Sequence, residues 1–163
     1  METLKRIDHS ALKTNQIIIA GLNILAFVLN IPGLAAFVTL VMLAGTILGK
    51  PGFGFVYQGL LKKIKWVKPD ILLDNPEPHR FAQGFGGVVM LVGILALYSG
   101  VPVLGWTLVW LVAALAALNA FAGFCVGCFI YYWLGRIHIP GFHKSPPPDT
   151  FPGLRPKGEA YDA

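Results

Sequence analysis

The chain has 163 residues, of which 55% are hydrophobic and only 13% charged, and its mean hydropathy is +0.65. A soluble domain of this size cannot cover so much apolar side chain, so composition excludes a water-soluble globule and predicts an integral membrane protein. The net charge of +5 lies in connecting segments and tails, where it reads as a topology signal and an attraction to anionic lipid, not as a nucleic-acid footprint.

In chain order, Met1 to Asn15 is polar, with Glu2 and Asp8 among the basic residues. It lacks the short apolar core and small-residue cleavage site of a signal peptide, so the first helix is expected to stay in the mature protein. Two apolar runs follow, at about 16–30 and 34–49, divided by the turn signal Asn30-Ile31-Pro32-Gly33. Each is slightly short for a span, and together they predict a helical hairpin. Beyond it, Leu60, Leu61, Ile64 and Val67 recur at helical spacing opposite Lys62, Lys63, Lys65 and Lys68, which predicts an amphipathic helix lying on the headgroups until Pro69.

A third helix is expected over 80–98, entered through Asp74-Asn75-Pro76-Glu77-Pro78, whose prolines and acidic residues suit a helix start. Ser99 to Pro102 is a second uncharged turn. Val103 to Leu134 then carries no charge over roughly 48 Å of helix, against a hydrocarbon core near 30 Å. We expect one long helix over 103–134, broken near 119–123, followed by a Pro-rich tail, 136–163, with too little apolar content to fold alone.

Both short turns are uncharged, and all 13 basic residues lie in the other connections and the tails. That asymmetry predicts an all-α membrane protein: a four-helix transmembrane bundle, multi-pass in an inner (cytoplasmic) membrane, both termini cytoplasmic, with the amphipathic helix on the same side between helices 2 and 3. Residues 1–135 form the bundle in this reading.

The only two cysteines, Cys125 and Cys128, stand three apart in this apolar context. Such a pair can close a disulfide, hold a metal or pass a sulfur atom. A buried thiol needs an activator, and Arg80 and His79, at the same membrane boundary, are the candidates. Cys125 is read as the attacking thiol and Cys128 as the resolving one. A copper(I) or zinc site from Cys125, Cys128 and His79 falls a ligand short. The non-catalytic alternative makes the cysteines small helix-packing residues of an accessory or scaffold subunit in a larger membrane complex, respiratory or photosynthetic. His9, His138 and His143 are read as interfacial. No dinucleotide, phosphate-loop or hydrolase motif is present, and no cofactor is expected.

Pro-Glu-Pro-His-Arg-Phe-Ala-Gln (Pro76 to Gln83), Gly-Phe-Cys-Val-Gly-Cys-Phe-Ile-Tyr (Gly123 to Tyr131) and Phe53-Gly54 resemble an uncharacterised family of small bacterial membrane proteins, domain of unknown function 4395, from Ile7 to about Leu134. The resemblance implies a four-helix membrane protein, with some members associated with thioredoxin-like or sulfurtransferase proteins. It brings no established activity.

Overall fold

Asp8 ends a short strand and starts the first long helix. In the computed structural model, which describes residues 4–62 and 69–156, β1 (Lys5–Asp8) pairs antiparallel with β2 (Ile71–Asp74) in the register Lys5↔Asp74 to Asp8↔Ile71. Asp8 Oδ1 accepts from Ser10 N–H (3.0 Å), capping α1 (His9–Val28), and from Asp70 N–H (3.2 Å). One carboxylate thus satisfies a first-turn amide and locks the helix to the sheet. The all-α expectation is corrected by this two-stranded sheet. Its strands hide between polar residues, and four residues are too few to show a period.

Helix α1 begins at His9, not near residue 16, because the Asp8 cap recruits the polar segment. Helix α2 (Pro32–Leu48) follows a turn in which Asn30 adopts positive φ. A short helical stretch, α3 (Gly54–Val56), runs into a π-helical turn, Tyr57–Leu61. The expected amphipathic helix falls mostly on residues 63–68, outside those described. Helix α4 (Pro76–Tyr98) starts on its proline, four residues earlier than expected. Helix α5 (Pro102–Ala122) is followed by α6 (Val126–Arg136).

The molecule is mostly helical, and α1, α4 and α5 are each long and apolar enough to cross a bilayer; α2 is apolar but shorter, at 17 residues. Their exposed faces carry Val28, Leu40, Ile47, Val103 and Phe121, which fits contact with lipid. A core of Ile19, Ala26, Val38, Met42, Met90 and Val109 joins α1, α2, α4 and α5. At its sheet-side end, Asn15 Oδ1 accepts from Phe53 N–H (2.8 Å), and Gln83 Oε1 accepts from Gly52 N–H (3.1 Å). The Gln83 amide also donates to Met42 O (2.9 Å), so two buried amides tie α1, α2 and α4 together.

The break in the last apolar run comes at Gly123, which takes φ +67° as the C-terminal cap of α5, a conformation an L side chain resists. The chain then turns so that α6 packs on α4. This contact is close: a Cβ on Gly127 would lie 2.5 Å from Ala82 Cβ. The tail does not stand apart through Pro156. Phe142 meets Phe81 and Tyr131 (centroids 5.3 and 5.0 Å), and Phe151 stacks on Phe129. Asn75 Nδ2 donates to Ser145 O (2.8 Å), so the proline-rich segment is held by ring packing and by side chains of the preceding elements.

Candidate thiol site

Cys125 is the N-cap of α6. It joins Cys128 in a disulfide, with the two Cα atoms 5.2 Å apart, and its Sγ accepts from Cys128 N–H (3.2 Å). The sulfur therefore occupies the place of a capping oxygen, where free amides and the positive end of the helix favour a thiolate when the bond is reduced. Both cysteines are buried, Cys125 at 6% exposure and Cys128 at 3%.

His79 lies on the first turns of α4, reached directly from β2 through Asn75 and Pro76. Its Nδ1 is 3.5 Å from Cys128 Sγ and its Nε2 is 2.8 Å from Asp74 Oδ2. An ionised carboxylate only accepts, so Nε2 carries the proton toward Asp74 and Nδ1 turns its lone pair to the sulfur. The β1–β2 pairing adds a third group, because His9 opens α1 where β1 ends. Its Nε2 is 3.2 Å from the same Asp74 oxygen, and its ring meets that of His79 edge to face at 5.7 Å.

Asp74 is 4% exposed. Burial pushes its pKa up, but the hydrogen bond from His79, the close approach of His9, the positive charge His79 takes when protonated and the Asn75 N–H together outweigh burial and hold the carboxyl well below the usual range. The Asp74 carboxylate is therefore ionised at neutral pH and sits behind the imidazole that faces Cys128.

Arg80 goes elsewhere. Its Nε donates to Thr46 O (2.5 Å) and its Nη2 to Ile47 O (3.2 Å), closing the open carbonyls at the end of α2. Of the four residues singled out in the sequence, Cys125, Cys128 and His79 come together, and Arg80 is spent on a helix terminus. Sequence reasoning missed His9, read as interfacial, and the part of Asp74 read as a helix cap. The five-residue step from Asp74 to His79 was the available signal; His9 arrives only through strand pairing.

Two metal-compatible groupings exist among the described residues, His79 with Cys125 and Cys128, and His9 with Asp74 and His79, their ligand atoms within 4.8 Å of one another. The disulfide removes both thiolates from the first. In the second, the Asp74 carboxylate accounts for the approach of the two imidazoles, His79 by a hydrogen bond and His9 at 3.2 Å.

The tail covers this site. Cys125 N–H donates to Gly153 O (2.7 Å), Arg155 N–H to Gly123 O (3.0 Å), Phe124 and Leu154 form an antiparallel bridge, and Arg155 pairs with Asp70 at the sheet. A cavity of about 30 Å3 remains between His9, Asp74, His79, Cys125, Cys128 and the strap. A larger one, about 930 Å3, between α6 and the tail reaches neither cysteine.

Comparison with curated proteins and with solved structures returns no match. A family profile described as a domain of unknown function matches residues 7–136, which takes in β2 and the second half of β1, every long helix and the dithiol. The chain belongs to that family, DUF4395.

Proposed function

We propose that this protein is a membrane thiol–disulfide exchange component whose working bond is Cys125–Cys128. The observation that carries the reading is the placement of His79 between Cys128 Sγ and a buried Asp74, with Cys125 capping α6. A disulfide used only as a staple needs no imidazole at its sulfur and no carboxylate behind the imidazole.

In the reducing direction a partner thiolate attacks Cys125 Sγ, the S–S bond breaks, and Cys128 leaves as a thiolate that takes a proton from the His79 imidazolium. The second partner thiolate attacks the partner's own sulfur in the mixed disulfide, releasing Cys125 as thiolate. Two electrons pass from the partner dithiol to the pair. In the oxidising direction His79 Nδ1 takes the Cys128 proton, and Asp74 holds the imidazolium. A thioredoxin-like protein or a sulfurtransferase suits the partner's role; from the latter the reduced Cys125 thiolate takes the outer sulfur of a persulfide, and the sulfurtransferase cysteine leaves as thiolate.

The same reading gives four crossings, with α2 as the shorter fourth, in an inner membrane with both termini cytoplasmic, supported by the uncharged turns at 30–33 and 99–102. Purified protein in nanodiscs, reduced and mixed with a thioredoxin disulfide, tests it. Exchange that vanishes in Cys125→Ser and Cys128→Ser supports the reading, and equal rates in wild type and both variants contradict it.

A second reading is favoured by the burial of both cysteines and the tight Gly127–Ala82 contact: an accessory subunit of a larger membrane complex, with the pair as packing. Co-purification with such a complex, unaffected by either serine variant, supports that reading.

A further inference from the structure

The dithiol stands between two cavities of opposite character. One is the 30 Å3 polar space that holds His9, Asp74 and His79. The other, about 120 Å3, lies among α1, α4, α5 and α6 and is walled by Ile19, Leu115 and Ile130 with the amides of Gln16 and Asn119. Cys125 and Asn119 line both. The rim of the second reaches Phe85, which is 48% exposed on the apolar outer face of α4, so its mouth opens toward the lipid side.

We infer that the apolar cavity beside Cys125 receives the ring of a lipid-soluble quinone, which oxidises the reduced Cys125–Cys128 pair. The inference rests on the thiol-exchange reading above and supplies its electron acceptor. An apolar protein cavity of about 150 Å3 accommodates a benzene ring; this one, about 120 Å3 and open at its mouth, takes the inner part of a six-membered ring, whose outer substituents and isoprenoid tail lie past Phe85. Gln16 and Asn119 are half-buried amides on its wall, able to donate to the two quinone oxygens. A water-soluble oxidant has no apolar surface to match this lining. A quinone takes up two electrons without a further co-reactant. The two S–H bonds of the pair are lost, one S–S bond forms, and the two electrons and two protons appear as the two O–H bonds of the quinol.

The test uses full-length protein in nanodiscs, reduced, freed of reductant and given decylubiquinone. We expect one quinone reduced for every two thiols lost. Leu115→Trp and Ile130→Trp, which fill the cavity, should each slow quinone reduction at least tenfold, with dithiothreitol exchange within about twofold of wild type as the check on folding. Saturable decylubiquinone binding should persist in the Cys125→Ser/Cys128→Ser double variant. A wild type that exchanges with dithiothreitol yet leaves the quinone oxidised overturns the inference alone, as does equally fast reduction by both tryptophan variants. A wild type inert to dithiothreitol overturns the thiol reading, and the inference with it.

Discussion

The imidazole of His79 bridges Cys128 and Asp74, 3.5 Å from the sulfur on one side and 2.8 Å from the carboxylate on the other. A positioned proton acceptor of this kind contributes about 10²-fold or more to a transfer step. His79→Ala should therefore slow exchange by about 10²-fold at pH 7, with the mixed disulfide on Cys125 accumulating because Cys128 is no longer deprotonated. Stopped-flow thiol trapping with intact-mass analysis reads both effects; full-speed exchange removes His79 from the mechanism.

Asp74 should govern acid stability. Its native pKa lies below its unfolded value, so the stability it contributes is fully present above about pH 4 and is lost as pH falls through and below that range. Asp74→Asn should cost about 3 kcal/mol at pH 7, because it removes the buried carboxylate approached by both the buried His9 and the half-buried His79. Its thermal unfolding in detergent should depend less on pH than that of wild type between pH 5 and 2; identical profiles assign the acid sensitivity to other carboxylates.

Arg80 is predicted to matter for α2 and not for the thiols. Arg80→Gln should lower stability by about 1 kcal/mol through the lost bonds to Thr46 O and Ile47 O. Exchange should stay within about twofold of wild type. A tenfold loss of exchange at full stability restores Arg80 to the thiol site.

The strap from Phe151 to Arg155 should limit access. Because Gly153 O accepts from Cys125 N–H and Arg155 N–H donates to Gly123 O across it, removing the chain from Thr150 onward should expose Cys125 and raise its rate of reduction by a bulky phosphine about tenfold. Alkylation after brief reductant exposure, followed by mass analysis, measures this. An unchanged rate shows that the reductant enters by another route.

Much of this arrangement was legible in the residues. The Asn30 and Ser99 turns, the apolar runs and the break before Cys125 follow from proline, glycine and hydropathy, which act locally. His79 was visible because it opens a long apolar helix, where a polar ring needs a partner. The rest depends on pairing at long range. Lys5 to Asp8 pairs with Ile71 to Asp74 across a long stretch of intervening chain, and that pairing sets His9 beside Asp74. Arg80 misled because a cation at the start of an apolar helix has several possible acceptors, and the free carbonyls at the end of α2 took it. The tail misled for a related reason: Phe142 and Phe151 are isolated in a polar sequence, yet each finds a ring on a preceding helix.

Trapping shows which cysteine forms the mixed disulfide with the partner, Cys125 in this reading, and which resolves it, Cys128. Cys128→Ser and Cys125→Ser proteins in nanodiscs are mixed with a thioredoxin disulfide, quenched in acid and weighed intact. The account predicts a stable mixed disulfide on Cys125 in Cys128→Ser and little adduct in Cys125→Ser, whose remaining thiol is the more buried and lacks the helix-capping position. Equal trapping on both, or an adduct only on Cys128, contradicts it.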